Sequence, residues 1–341
     1  MIHHARYPGS PAAIRVAAAL PVLLMLAVLA VGSPPPQSGN FDDLPGTGPV
    51  KKTPGFFHRP SKDTPAEQLE YAAALEARGK LKRACGEYRA LVHEWHGSPQ
   101  AVTAQLALAR VLAEREKYIP AFEEYQYLID RFSGRFPYEK VLEAQFRIAN
   151  HLRTRTYWDI LGLPGYKEPR RALPMLEKIV ENGPGWDKTP EAQYYIGLIH
   201  EEENNLDEAV VEYRKLMQKY PKTRWAREAA FARAQCLYRT ARRYRRDEEL
   251  CRRALAALAS FIADYPASSG IRRAESCRDT LNKRLAQMYF DKAVFYEEKS
   301  RRPESALVVY RNFKRRFPLS DLAKTAAERI RVLEKKYEEK N

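Results

Sequence analysis

A spacing pattern that recurs along the chain constrains the fold more than any other feature of the sequence. Between residues 190 and 221, Gly197 precedes Ala209 by twelve residues, and Ala209 precedes Tyr213 by four and Pro221 by twelve. Small residues at the first two positions let two helices approach closely, and the aromatic ring one turn later fills the space between them. Proline cannot continue a helix and therefore marks where the second helix has ended. The pattern predicts a pair of packed helices.

The same order of small residue, large residue and proline occurs in three other segments, and two earlier segments keep most of it with a later proline. The full copies are Ala172, Leu176, Pro184; Ala254, Leu258, Pro266; and Ala306, Tyr310, Pro318; the partial ones are Ala72, Ala84, Tyr88 and Ala109, Ala121, Tyr125. This spacing resembles the tetratricopeptide repeat, a helix-turn-helix unit of ~34 residues. It predicts an all-α solenoid of about five to six helix-turn-helix units. A generic helical bundle is the alternative, since apolar residues at three- and four-residue spacing occur in any α-helical protein.

Two inserts interrupt the copies. The first, "TRTYWDILGLPGYKEPR", lies between Ala149 and Ala172, and the second, "RTARRYRRDEELCRRA", lies between Ala234 and Ala254. Insertions in solenoids map to loops or lengthened helices on one face, and we expect both inserts there.

The N-terminal residues have the pattern of an export signal. Two arginines precede an uncharged stretch from Val16 to Val31, which is shorter than a membrane-spanning helix requires. Small residues follow, so residues 1–32 are expected to be a signal peptide cleaved after Gly32 or Ala30, with an uncleaved membrane anchor as the alternative. Ser33 stands where a lipoprotein signal would have cysteine. Residues 33–62 are rich in proline and glycine and are expected to form a linker, with the repeat domain over residues 63–338.

The formal net charge of +15 would favour nucleic-acid binding in a cytosolic protein, but export argues against it. On most helices the cations alternate with acids, which is typical of a solvated face. Two runs are exceptions, and they comprise Arg239, Arg242, Arg243, Arg245 and Arg246 and, further on, Lys314, Arg315 and Arg316. These runs are either solvated surface or contacts for acidic lipid headgroups or an acidic protein.

Residues with catalytic or metal-binding potential are few. His93 and His96 lie one helical turn apart and could supply two metal ligands, but no third ligand stands at a recognisable spacing. No glycine-rich phosphate loop, nucleophile elbow or paired-carboxylate motif is present. We therefore expect no enzymatic activity and no cofactor. An enzyme or enzyme-activating subunit remains the alternative class, and a Ser, His and Asp constellation near Trp158 would favour it.

The four cysteines form neither a CxxC pair nor a zinc-binding spacing. Cys85 is expected to be a buried free thiol. In an oxidising compartment one disulfide among Cys236, Cys251 and Cys277 stays possible, and the sequence does not define its connectivity.

The segment from Ala254 to Asp321 resembles the BamD family, periplasmic repeat lipoproteins of the outer-membrane β-barrel assembly machinery. The resemblance is carried by "YPAS" at Tyr265–Ser268, "LNKRLAQ" in the following helix, "AVFY" at Ala293–Tyr296 and a final aromatic-proline pair. It implies an exported, non-catalytic scaffold that binds envelope or outer-membrane assembly proteins and segments of client proteins, with possible peripheral membrane contact. The implied location is the periplasm or the periplasmic face of the outer membrane.

This chain departs from the family pattern in two ways, since it lacks the lipid-bearing cysteine and contains an extra repeat around Gly197. A CpoB/YbgF-like or generic periplasmic repeat adaptor is the alternative within the same class. Those proteins usually carry a coiled coil before the repeats, and residues 33–62 contain no heptads.

The first helix of each repeat lines the concave face of such a solenoid, so the frame also predicts a binding groove. Side chains three positions before and one after the small residue should lie on this face: Leu69, Ala73, Leu106, Arg110, Phe146, Asn150, Tyr194 and Leu198. We expect Phe146 and Tyr194 to be exposed there, whereas Leu69 and Leu106 could instead pack between repeats. A groove lined by these residues suits a peptide with an apolar anchor and an acidic or carboxylate end. Phe295 and Arg315 are the candidates for a second partner surface.

Overall fold

A computed structural model describes residues 59–157 and 166–338. The predicted signal peptide, nearly all of the predicted linker and Trp158 lie outside the described residues. The described residues form thirteen α-helices, which pair in chain order into six helix-turn-helix units followed by a final helix. The predicted all-α repeat architecture is therefore confirmed.

The first seven helices supply three complete units and the first helix of the fourth. Their bounds are α1 Pro65–Ala77, α2 Leu81–Glu94, α3 Pro99–Glu114, α4 Tyr118–Arg131, α5 Tyr138–Thr154, α6 Leu173–Asn182 and α7 Thr189–Glu202.

The remaining helices complete the array, and a short π-helical turn, Phe295–Lys299, connects α11 to α12. Their bounds are α8 Leu206–Lys219, α9 Arg224–Arg243, α10 Glu248–Asp264, α11 Ile271–Val294, α12 Pro303–Arg316 and α13 Ala323–Glu338.

The two inserts adopt different structures. The described ends of the first insert form two short strands, β1 (Thr156–Tyr157) and β2 (Tyr166–Lys167), which pair antiparallel, and a 3-10 turn over Pro169–Ala172 leads into α6. These strands were not expected from the sequence, because two residues are too few to show an alternating pattern. The second insert lengthens α9 to 20 residues and α10 to 17 residues. The lengthened α9 and α10 agree with the expectation for the second insert, whereas the described ends of the first insert form strands and a 3-10 turn.

The packing at the fourth unit follows the predicted frame. Ala209 and Tyr213 are fully buried, and Gly197 is buried in α7. A Cβ atom on Gly197 would lie 2.6 Å from Cε1 of Tyr213, so the absence of a side chain at Gly197 makes room for the ring. Small and large residues of the other copies are buried as well: Ala72, Ala84, Tyr88, Ala109, Ala121, Tyr125, Ala172, Leu176, Ala254, Leu258, Ala306 and Tyr310.

The aromatic-proline pairs end the second helices as expected. The backbone N–H of Tyr220, directly after α8, donates to the carbonyl of Leu216 at 2.8 Å, and Pro221 follows it outside the helix. The hydroxyl of Tyr220 donates to the carbonyl of Pro184 in the preceding unit at 3.0 Å. Thr223 then caps α9 by accepting a hydrogen bond from the backbone N–H of Ala226 at 3.2 Å. Tyr220 therefore also ties the fourth unit to the connection that precedes it.

Within the described part of the chain, no helix is both long and apolar enough to cross a membrane. All four cysteines are free thiols in this structure. Burial raises the pKa of Cys236 to about 12 and also raises the pKa values of Cys251 and Cys277. Because the thiolate is the reactive form, these side chains behave as apolar packing groups at neutral pH.

Candidate functional site

Buried glutamines hold each first helix against its partner in three of the units. Gln105 donates from Nε2 to the backbone carbonyl of Glu124 at 3.0 Å and to Oε2 of the same residue at 2.8 Å. Gln68 makes the same pair of contacts with Glu87, and Gln193 donates to Oε2 of Glu212 at 2.8 Å. Each glutamine stands four residues before the small residue of its repeat. This spacing is visible in the sequence, but the predicted site residues do not include the glutamines.

Three carboxylates join a buried tyrosine of their own unit to an arginine of the next first helix or the final helix. Tyr213 donates its hydroxyl to Glu201 at 3.0 Å, and Arg239 of α9 donates to the same carboxylate at 3.2 Å. In the same way, Glu76 joins Tyr88 to Arg110. Glu297 joins Tyr310 to Arg329 of the final helix. These bonds orient successive first helices and thereby set the positions of the side chains between them.

The pairing of Arg110 changes its expected role. Its guanidinium lies 2.5 Å from Glu76 Oε1, so its charge is compensated within the chain. Sequence reasoning assigned this arginine to an acidic peptide end, but the residue that neutralises it lies 34 positions earlier. Only the stacking of α3 against α1 brings the two together.

Five aromatic side chains from α5, the α6–α7 connection, α7 and α9 form a continuous cluster. Phe146 and Tyr194 were predicted from the sequence; Trp186, Tyr195 and Trp225 were not. Ring centroids are 5.7 Å apart for Phe146 and Trp186, 6.1 Å for Phe146 and Tyr195, and 5.0 Å for Tyr194 and Trp225. We call these five residues the aromatic cluster.

The solvent exposure of the rings in the aromatic cluster differs in part from the expectation that Phe146 and Tyr194 are both exposed. Phe146 is only 6% exposed, because Trp186, Tyr195 and the ammonium group of Lys188 surround its ring. Its predicted exposure in a groove is therefore wrong. Tyr194 is half-buried, as are Trp186, Tyr195 and Trp225. Burial raises the pKa values of both Tyr194 and Tyr195 to about 12, so both phenols are neutral at physiological pH.

Two arginines cover the partly exposed rings of the aromatic cluster. The guanidinium carbon of Arg153 lies 4.0 Å from the ring centroid of Tyr195, and that of Arg224 lies 4.5 Å from Trp225. Asn150, a predicted groove residue, accepts hydrogen bonds from Arg153 at 2.9 and 3.2 Å. Among residues 59–157 and 166–338, no carboxylate lies within ion-pair distance of either guanidinium. The cluster therefore combines apolar area with two uncompensated positive charges.

The other predicted groove residues extend along neighbouring first helices. Leu69, Leu106 and Leu198 are half-buried, and Ala73 is exposed. Leu69 and Leu106 pack against the hydrophobic core, as the alternative for these two residues expected.

The proposed second surface is divided between the two ends of α12. Phe295 begins the π-helical turn before α12 and is 54% exposed, whereas Arg315 lies in the last turn of α12 and donates to Asn312 at 3.1 Å. The helical rise places the two ends roughly 18 Å apart. Phe295 and Arg315 are therefore too far apart to hold one small group, and a partner that contacts both must run along α12.

The two histidines at the end of α2 are separated by their environments. His93 is exposed, whereas His96 is half-buried with its ring stacked on Phe132 at a centroid distance of 4.6 Å. In the described ranges no three His, Cys, Asp or Glu side chains converge as a metal site would require. Burial, followed by the charges of Arg131 and Arg135, lowers the pKa of His96.

The environment of His96 predicts a pH dependence of stability. Above the unfolded-state pKa of about 6.5 the imidazole is neutral in both states and has no effect. As pH falls below that value the unfolded chain binds the proton first, so the free energy of unfolding decreases until the lower folded-state pKa is reached. The slope from one group is at most about 1.4 kcal/mol per pH unit. Urea unfolding of the wild type and of His96→Phe between pH 7.5 and 5 should show a smaller loss in the variant, and equal losses would contradict the assignment.

These features define a helical-repeat protein of the tetratricopeptide class, with stacked helix pairs and an aromatic surface between successive first helices. The family YfiO, described as "Outer membrane lipoprotein", matches residues 167–339, slightly more than half of the chain. The chain belongs to this family, which confirms the BamD-like resemblance. The match spans α6 to α13, and residues 59–157 lie outside it.

Several solved structures of repeat proteins are similar to the chain at low identity. YrrB, described as a TPR protein with an unusual peptide-binding site, is 17% identical with a TM-score of 0.31, covering 63% of this chain and 94% of its own. A thermophilic TPR protein from Thermus thermophilus, TTC0263, is 18% identical with a TM-score of 0.27, covering 63% and 98%. A tetratricopeptide repeat protein from Parabacteroides merdae is 14% identical with a TM-score of 0.29, covering 79% and 98%. No curated protein matches the chain.

Proposed function

We propose that this protein is an exported, non-catalytic scaffold that binds other proteins during assembly of the outer membrane or cell envelope. The aromatic cluster with its two uncompensated guanidinium groups is the observation that carries the binding role. Membership of a family described as outer membrane lipoproteins supports the envelope setting.

The chemistry of the aromatic cluster indicates the kind of segment it would bind. Half-buried Trp and Tyr rings offer apolar area, and aromatic and arginine side chains dominate the energetics of many interfaces. Arg153 and Arg224 each retain donors for a carboxylate, and charge-assisted hydrogen bonds to arginine are the stronger kind. A peptide segment with an apolar side chain near an acidic group fits both requirements.

A charge-removing variant tests this role without removing core residues. Arg153→Gln combined with Arg224→Gln should weaken binding of the partner by ~2 kcal/mol or more, because each substitution removes a hydrogen-bonded positive charge. Partners captured from an envelope extract by the wild type are identified by mass spectrometry, and their affinities are then measured by calorimetric titration.

Arg214→Gln combined with Arg227→Gln is the matched control, because it removes the same charge from other positions on α8 and α9. Circular dichroism should be unchanged in both variants. Full affinity in the folded Arg153 and Arg224 variant would move the binding site elsewhere.

The assembly role requires a separate measurement in cells. Depletion of the protein should lower the amounts of β-barrel proteins in the outer-membrane fraction relative to other envelope proteins. A general envelope adaptor would leave that ratio unchanged.

The proposed location rests on the export pattern of residues 1–32. Intact-mass analysis of the exported protein should give a chain that starts near Ser33. A chain that keeps Met1 and stays with membranes after a high-salt wash would show instead that the segment acts as an anchor.

A further inference from the structure

The turn between α9 and α10 exposes a concentrated positive charge. Arg242, Arg243, Arg245 and Arg246 are all exposed, and Tyr244 between them is 54% exposed. We call residues 242–246 the arginine corner. The groove proposed above lies on other residues and does not use it.

Neighbouring acids do not neutralise the arginine corner. Asp247 accepts from the backbone N–H of Leu250 at 2.9 Å and caps α10, while Glu248 and Glu249 both pair with Arg252. Within the described ranges, no carboxylate lies within ion-pair distance of the four corner arginines. Arg239, which the sequence analysis grouped with them, differs because it pairs with Glu201 at 3.2 Å.

Part of this charge stabilises the fold, but part of it does not. Arg242 and Arg243 end α9, where positive charge interacts favourably with the helix dipole. Arg245 and Arg246 lie beyond the helix and immediately before the N-terminus of α10, where that dipole disfavours positive charge. The helix dipoles therefore give no stabilising role to Arg245 and Arg246.

An open depression adjoins the arginine corner. It has a volume of about 410 Å³ and is lined by Asn204, Leu206, Arg239, Arg242 and Arg243. Arg239 at its wall is already bonded to Glu201 and Asn204, so Arg242 and Arg243 are the side chains there that suit an anionic group. Its open form suits a headgroup at a surface better than an enclosed small molecule.

The next turn on the same side repeats this chemistry. Since α9 and α11 are both first helices of their units, their C-terminal ends point the same way, and Arg284 of α11 donates to the carbonyl of Ala241 at 3.0 Å. After α11, Phe295 is 54% exposed and Lys299, Arg301 and Arg302 are exposed. Each of two successive turns therefore presents one exposed aromatic ring beside cations, and the second turn also carries the exposed acids Glu298 and Glu304.

We infer that the arginine corner is a peripheral binding site for bilayers that contain anionic phospholipids. Tyrosine is enriched at membrane–water interfaces, where its ring lies at headgroup level. Cations beside it attract anionic headgroups. An exposed, strongly basic turn that carries an aromatic ring fits the extended anionic surface of a bilayer.

Vesicle co-sedimentation of the full chain tests the inference. The readout is the ratio of binding to vesicles of phosphatidylglycerol mixed with phosphatidylcholine over binding to pure phosphatidylcholine vesicles, because any contribution of the apolar N-terminal segment is common to both. The wild type should prefer the anionic vesicles, and salt should reduce the preference. Changing Arg242, Arg243, Arg245 and Arg246 to Gln should reduce the ratio at least ~10-fold. Tyr244→Ser alone should reduce binding to the anionic vesicles by a smaller factor.

The matched control removes four exposed cations from α11 by changing Arg272, Arg273, Lys283 and Lys292 to Gln. It should keep most of the preference. An equal loss in this control would assign the effect to net charge and overturn the site. A wild type without preference for anionic vesicles would also overturn it, and so would an unchanged ratio in the corner variant. A corner variant that keeps its vesicle preference but no longer captures an acidic protein would assign the turn to a protein partner instead. Capture through the aromatic cluster should persist in the corner variant, which separates this test from that of the proposed scaffold role.

Discussion

Gly197→Leu is expected to lower the free energy of unfolding by about 3 kcal/mol or more, at or beyond the upper end of overpacking costs. A Cβ atom at this position would already lie 2.6 and 2.7 Å from Cε1 and Cδ1 of Tyr213. The ring cannot move aside easily, because Tyr213 is fully buried and its hydroxyl is bonded to Glu201. Urea unfolding followed by circular dichroism measures the loss.

Gly86→Leu provides the matched control for this prediction. Gly86 lies inside α2, and nothing lies within 4 Å of a Cβ atom built there. The same substitution should therefore stabilise the protein by about 0.5–1 kcal/mol through helix propensity. Effects of equal sign at the two glycines would contradict the close packing of α7 against α8. Combining Gly197→Leu with Tyr213→Leu should recover part of the lost stability, because it removes the obstructing ring.

Phe146→Ala is expected to reduce the free energy of unfolding by about 3–5 kcal/mol, the usual cost of removing a buried phenylalanine ring. The ring is 6% exposed and contacts Trp186 and Tyr195, so its loss leaves a cavity at the base of the aromatic cluster. Thermal and urea unfolding would both report the change.

Phe295→Ala is the control, since it removes the same ring from a position that is 54% exposed. Its cost should stay below about 1 kcal/mol. Similar costs for the two variants would show that Phe146 is not buried. If the prediction holds, a variant in which both Phe146 and Tyr194 are changed to Ala would lose partner binding because it is unstable. The Arg153→Gln and Arg224→Gln variant is therefore the better test of binding at the aromatic cluster.

The sequence by itself determined the repeat frame and the helix ends. Gly197, Ala209 and Tyr213 occupy fixed positions relative to one another, and two small residues beside a large ring favour close packing of two adjacent helices. Proline after Tyr220 stops α8 for a reason that acts within a few residues. The four arginines between positions 242 and 246 were likewise evident from the sequence, because the residues that form this cluster are adjacent in the chain.

The periodicity of the sequence also predicted which face of α7 carries Tyr194, but it could not predict how far a side chain on that face is exposed to solvent. Which face a side chain occupies depends on its own helix, whereas its exposure depends on residues supplied by neighbouring units. Trp225 of α9 packs on Tyr194, and Trp186 and Tyr195 cover Phe146, so most of the accessible rings are ones that sequence reasoning did not select.

The tertiary structure alone decided which charges remain available to a partner. Arg110 and Arg153 are both arginines on first helices, and nothing in their local sequence separates them. Arg110 meets Glu76 across the stacked helices α1 and α3, while Arg153 lies over the ring of Tyr195 without a carboxylate in ion-pair distance among the described residues. Pairing of this kind depends on how one repeat is rotated onto the next, and that rotation results from packing summed over many residues rather than from any short motif.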